Sequence, residues 1–258
     1  MASTSITVAE TPLLGFVLQR ADDALILGHR LSEWCGHAPT PEEDVAWANI
    51  ALDLIGVARP LYAYAGEIEA AGHDEDAFAY RRDAGQFRNL LLVEQQNGDF
   101  ARTIVRQFLY SAYADPFWRA MTRSRDAMLA AVAGKAEKES AYHLRHASEW
   151  LIRLGDGTEE SHGRAQAALD ALFPYTGELF ASDDAARALI AEGVAADPEA
   201  LRPAWEATLA AVLDEATLSR PAGGWSHSGG RAGRHSEHLG PLLAVMQVLP
   251  RTYPDARW

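Results

Sequence analysis

Apolar residues recur at helical spacing along almost the whole chain, and the strict apolar–polar alternation of strands is absent. Leu14, Val17, Leu18, Ala21, Leu25 and Gly28 share one face of a first predicted helix. Thr11-Pro12 opens it, because a Thr N-cap can accept from an orphan amide and Pro at the first helical position has no N–H to lose; Gly36 and Pro39 end it. A second helix begins at Thr40-Pro41 and carries Glu42, Glu43 and Asp44 in its first turn, where negative charge meets the positive end of the helix dipole. Its inward stripe reads Val45, Ala48, Leu52, Ile55, Gly56 and Arg59, and Gly72 closes it. Residues 74–98 read as irregular or briefly helical. A third long helix runs from Asp99 toward Ala114 with Ile104, Phe108, Ser111 and Ala112 on one face, and Asp115-Pro116 should break or kink it. A fourth runs from Ser124 to Leu154 and stops at Gly155-Asp156-Gly157. Shorter helices are predicted over 159–173, 183–193 and 199–218. Residues 221–235, PAGGWSHSGGRAGRH, form a Gly-, Ser- and Arg-rich loop, and EHLGPLLAVMQVL then forms a short helix before Pro250. The pattern predicts an all-α fold: a four-helix bundle with additional helices, in one domain over 1–258.

Composition narrows the function classes. Of 258 residues, 48% are hydrophobic, enough for a sizeable core. Lys and Arg number 23 and Asp and Glu 36, a formal net charge of −13. An acidic surface disfavours nucleic acid and anionic membranes and suits basic protein partners. The one cysteine, Cys35, rules out an intrachain disulfide and thiolate clusters; between Trp34 and Gly36 it reads as a buried, inert thiol. The N-terminal MASTSITVAETPLLGF has no basic stretch followed by a long apolar run. No segment approaches the roughly 18 apolar residues of a membrane span. A cytoplasmic protein is expected.

Bundles of this size often hold a carboxylate-bridged di-iron centre, built from a Glu on each of two helices and a Glu-x-x-His on each of the other two. Positions i and i+3 share a helix face, so a carboxylate and an imidazole reach the same metal pair. The chain has one such string, Glu159-Glu160-Ser161-His162, at the start of a short polar helix and without a second copy; it reads as accidental. On the fourth helix Lys135, Glu139 and His143 share a stripe with Ala136 and Ala147. The second helix offers Asp53 and Arg59. Arg is cationic and donor-only, so it cannot bind iron. A buried polar cluster of Asp53, Arg59, Glu139 and His143 is expected instead, with Arg59 turned inward onto a carboxylate, because buried charge must be paired; the alternative is that these residues line the surface. Ser226-His227 and the pair His235 and His238 are too sparse for a catalytic or metal site.

The strings RLSEWCGHAP (30–39), ANIALDLIGVAR (48–59), NLLLVEQQNGDFARTIVRQ (89–107), KESAYHLRHASEWLIRLGDG (138–157) and HSEHLGPLLAVMQ (235–247) resemble the C-type subunits of the phenylacetyl-CoA epoxidase family over nearly the whole chain. The resemblance implies a ferritin-like fold without a working metal site, acting as the non-catalytic partner in a multicomponent oxygenase. It implies a related A-type subunit that holds the di-iron site and the thioester, and a small bridging B-type subunit. A reductase would deliver electrons from NADPH through flavin and an iron–sulfur cluster, and this chain would hold no cofactor. Set against the A-type pattern, the ligand positions fall on Leu25, Gly56, Arg59, Ser111, Ser140 and His143, of which His143 alone could bind a metal. An autonomous di-iron oxygenase and an unrelated helical interaction protein are the competing readings. The basic residues Arg231, Arg234 and His235 of the loop are candidates for contact with an acidic partner surface.

Overall fold

The computed structural model describes residues 5–254 and 256; the start of the N-terminal stretch read for a leader, residues 1–4, lies outside them. The all-α expectation holds. The helices are α1 (Pro12–Ser32), α2 (Pro41–Glu69), α3 (Glu75–Tyr80), α4 (Leu91–Glu94), α5 (Phe100–Met121), α6 (Ala127–Gly155), α7 (Glu159–Leu172), α8 (Asp184–Ala191), α9 (Pro198–Glu215) and α10 (Leu239–Thr252). Among the described residues there is no strand, consistent with a ferritin-like fold. No helix among them is long and apolar enough to cross a membrane. Starts are set by side-chain caps: Thr11 accepts from Leu14 N, Asp99 from Arg102 N and Asp126 from Leu129 N.

Within the chain two compact units can be distinguished, each discontinuous in sequence. The first comprises residues 1–37, 45–96 and 229–258; the second, 38–44 and 97–228. Of their boundaries, the one at 44/45 lies inside α2 with no mark in the sequence, whereas those at 96/97 and 228/229 fall beside Asn97-Gly98 and in the Gly- and Ser-rich loop.

In the first unit α1 is buried almost all round, from Leu14 and Val17 through Ile26 and Leu27 to Leu31. Gly28 lets α1 come close to α2: a Cβ there would lie 3.2 Å from the Ala51 carbonyl oxygen and 3.2 Å from Ile55. The buried stripe of α2 is Trp47, Ile50, Leu54, Val57, Leu61 and Tyr62. The expected stripe is therefore the wrong face. Val45 is 61% and Leu52 65% exposed, and Arg59 points outward with them. Both faces carry apolar residues, but the buried one holds the indole and the longer unbroken series. α10 packs on α3, and its Leu239, Leu242 and Leu243 are buried. Gln247 donates to the Ala79 and Arg82 carbonyls at 3.2 and 3.0 Å, and Arg251 to those of Tyr80 and Arg82.

In the second unit α5 packs chiefly on α6, with α7 and α9 against both. The expected stripe Ile104, Phe108, Ser111 and Ala112 is buried. Pro116 does not end α5, which continues to Met121. Its last turn is held by burial of Phe117, Trp118 and Met121, with Phe117 stacked on Tyr113 at 5.5 Å. Pro250 likewise lies inside α10. Cys35 is exposed rather than buried, because α1 ends at Ser32 and the thiol sits on the turn that follows.

The tightest helix contact in this unit is at Gly155, where a Cβ would come within 2.2 Å of the Ala216 carbonyl oxygen. Gly155→Ala should destabilise the protein by about 1–3 kcal/mol through overpacking, with a lowered Tm in thermal denaturation; an unchanged Tm would mean the backbone yields freely there.

Candidate functional site

The six positions aligned with metal ligands divide between the units. Leu25, Gly56 and Arg59 belong to the first, Ser111, Ser140 and His143 to the second. Leu25 is core, 5% exposed. Gly56 has no side chain to offer. Arg59 corrects the expectation of a buried cluster with Asp53, Glu139 and His143. Its side chain is 67% exposed and donates to Glu75 Oε1 at 3.0 and 2.6 Å. The hydrogen bond and charge of Glu75 raise its pKa. A guanidinium on an outward face with a carboxylate in reach needs no buried partner.

On the other side, Ser111 is buried and accepts from Gln107 Nε2 at 2.9 Å. Ser140 donates back to the Glu137 carbonyl at 3.1 Å. His143 is 4% exposed. Glu139 is half-buried and lies 3.3 Å from Lys135 one turn earlier. Further along α6, His146 Nε2 meets Glu43 Oε2 at 2.9 Å. Among the described residues, no group of three or more His, Cys, Asp or Glu gathers in a metal-binding arrangement. In the Glu159–His162 string, Glu160 pairs with Arg164 at 2.5 Å and His162 Nδ1 meets the Gly155 carbonyl at 2.7 Å, so it serves the start of α7.

The densest polar chemistry lies in the first unit, away from every position that the sequence pattern singles out on α2 and α6. Asp22, Asp23 and Glu94 are all buried. Asp22 accepts from Arg82, from the Tyr62 hydroxyl at 2.6 Å and from Arg88 N at 2.7 Å. Burial, then the charge of Asp22, pushes the Tyr62 phenol well above its ordinary value. For Arg82 burial works against the charge, but Asp22 outweighs it and the pKa rises. Asp23 accepts from Leu90 N at 2.8 Å and from both terminal nitrogens of Arg231, at 2.9 and 2.7 Å. Glu94 accepts from Asn89, from Ser236 N and from His235.

Two of the three loop residues expected to touch a partner are thus used internally. Arg231 neutralises Asp23 and also donates to the Gln19 and Arg88 carbonyls. His235 donates from Nδ1 to Glu94 at 2.7 Å and from Nε2 to the Phe87 carbonyl at 3.0 Å. Both ring nitrogens face acceptors, so the bonded form is the imidazolium. Burial opposes that charge, but Glu94 and the Phe87 carbonyl outweigh it and raise the His235 pKa above 6.5. Arg234 is exposed. A sequence signal for part of this network existed: two consecutive acids, Asp22-Asp23, inside a strongly apolar helix need cations from elsewhere.

Helices without a strand among the described residues define the class of an all-α protein, consistent with a ferritin-like fold. The family described as phenylacetic acid catabolic protein matches over residues 1–258, and the chain belongs to it. Among its relatives, the C-type subunit of the 1,2-phenylacetyl-CoA epoxidase of Escherichia coli (strain K12) is 49% identical over 246 residues, which cover 95% of this chain and 99% of that protein.

Arg231→Met should cost about 3–5 kcal/mol, because it strands the Asp23 carboxylate in the core. The His235 pair adds a pH dependence of definite sign. With the folded pKa raised, its stabilisation is complete below about pH 6.5 and is lost as pH rises through the folded value. Denaturant titrations from pH 6 to 9 should show a steeper fall for the wild type than for His235→Gln; parallel curves would show that the pair contributes nothing.

Proposed function

We propose that the chain is the non-catalytic C-type subunit of a 1,2-phenylacetyl-CoA epoxidase, scaffolding a separate di-iron A-type subunit in the cytoplasm during phenylacetate breakdown. The observation that carries this reading is 49% identity to the Escherichia coli C-type subunit across 99% of that protein's length. In the same reading a small B-type subunit bridges the assembly, and a reductase carries electrons from NADPH through flavin and iron–sulfur groups.

The donor set supports a structural role. A carboxylate-bridged iron pair needs carboxylates from all four helices and two imidazoles. Leu25 and Gly56 offer no donor atoms, and Arg59 is a cation held outward by Glu75. The hydroxyls of Ser111 and Ser140 are engaged with Gln107 and with the Glu137 carbonyl. His143 alone keeps a donor that iron accepts, and these residues do not fit the metal pair. What the chain contributes is rigid shape, held by the buried ion pairs around α1.

Two measurements test the reading. The isolated chain should carry no stoichiometric iron by metal analysis, and co-expression with A-type and B-type subunits should give one complex by size exclusion, with epoxidation of phenylacetyl-CoA lost when this chain is left out. Two irons per chain would overturn the non-catalytic role, and full activity without the chain would overturn the scaffold.

A further inference from the structure

A cavity of about 250 Å³ opens between α9, the turns over 173–180 and the loop over 220–226, all within the second unit. Its floor is aromatic. Trp205 and Phe180 are buried and meet edge to face with centroids 5.4 Å apart. Arg202 lies over the Phe180 ring at 4.2 Å and Arg220 over Phe173 at 5.5 Å. Each guanidinium is already bound by a carboxylate. Arg202 donates to Glu199 at 2.8 and 2.9 Å, and Arg220 donates to both oxygens of Glu206.

The rim is glycine-rich and open: a Cβ on Gly223 or Gly224 would meet nothing within 4 Å. Trp225 stands on that rim, 74% exposed. It is held there. Its ring meets His227 edge-on at 4.2 Å, and His227 stacks flat on Tyr175 at 4.1 Å. Ser226 Oγ and His227 N both donate to the Pro174 carbonyl, at 2.8 and 2.9 Å. An indole pinned in water beside an aromatic cavity has the composition of an interface centre, where Trp and Arg are enriched.

Charge chooses the sign of what covers it. At the cavity itself Asp170 and Glu206, with Glu199 on Arg202, stand against Arg202 and Arg220, and the surrounding residues 157–228 hold twelve Asp and Glu against four Arg and no Lys. All four arginines are paired: Arg164 with Glu160, Arg187 with Asp184, Arg202 with Glu199 and Arg220 with Glu206. The surplus is negative, and an anionic ligand would have to displace a carboxylate to reach a cation. A partner complementary to this surface is basic.

We propose that this cavity is a docking socket for a basic segment of a partner protein, which inserts one aromatic side chain between Trp225 and the floor of Trp205 and Phe180 while flanking Lys or Arg residues face the surplus carboxylates. The proposal rests on the reading that the chain assembles with other subunits and names the chemistry of one contact. It departs from the expectation that the basic loop meets an acidic partner and follows the one that an acidic surface suits basic partners.

The probes are three fluorophore-labelled peptides, acetyl-KKWKK-amide, acetyl-KKAKK-amide and acetyl-EEWEE-amide, titrated with the full-length chain by anisotropy at low salt. The first should bind at least tenfold more tightly than the other two, and Trp225→Ala should erase that preference while melting as the wild type does. Equal binding of the three peptides, no binding of any, or an undiminished preference in Trp225→Ala would overturn the proposal. Co-purification with A-type and B-type subunits separates it from the assembly reading. If the wild-type chain fails to co-purify, the assembly reading falls. If the wild type co-purifies and Trp225→Ala does so with unchanged affinity, only the socket falls.

Discussion

Three buried carboxylates govern the first unit. Asp22 and Asp23 are consecutive on α1, and Glu94 ends α4, which packs against α1. Removing such groups from water is worth several kcal/mol each against folding unless cations and donors surround them. On α1 itself Arg20 stands 3.9 Å from Asp23, beyond hydrogen-bond distance. Closer cations come from elsewhere: Arg82 from the segment after α3, and Arg231 and His235 from the far end of the chain. Stretches separated by up to 208 positions in sequence are fastened by this requirement.

The same segment explains why a glycine-rich loop is ordered where it enters the unit. Gly233 adopts φ +73°, and a Cβ there would lie 2.2 Å from the Gly85 carbonyl oxygen. A larger residue would hold Arg231 away from Asp23. Beyond it, Gln247 and Arg251 donate to carbonyls at the end of α3 that the helix itself leaves unsatisfied. These bonds add to the buried leucines in placing α10, whose outer face carries apolar residues: Val245 is 78% exposed and Leu249 53%.

Helix type and extent are legible in the sequence because they depend on local terms. Thr11-Pro12, Thr40-Pro41 and Gly155 act within a few residues, and the starts and stops they predict agree with the structure to within about one turn. Which face of a helix is buried is legible only where one face is clearly richer. That holds for α5. On α2 apolar residues lie on both sides, and the stripe through Trp47 and Leu54, not the one through Val45, Leu52 and Arg59, is in the core. The inward expectation for Arg59 fails with that stripe. Proline is a weaker stop than its lost hydrogen bond suggests, because burial of Phe117 and Trp118 beyond Pro116 outweighs that loss. The pairing of Arg231 and His235 is invisible in the sequence because it spans more than 140 residues and leaves no local pattern.

That pairing changes how the surface charge is to be read. The formal −13 treats every cation as available to solvent. Arg82 and His235 are buried against carboxylates, and Arg231 is largely covered. Buried pairs cancel locally and contribute little field outside, so the count that matters for association is taken over exposed groups. In the stretch 157–228 even the exposed arginines are tied to neighbouring acids. Surface pairs of this kind are weak and exchange readily. Their cancellation still holds on average, and the surplus charge of that stretch is carboxylate. A loop that reads as the chain's one basic patch is therefore mostly an internal counter-ion. In the 157–228 stretch the exposed surface is acidic beside an aromatic cavity, and electrostatic complementarity there favours positive charge.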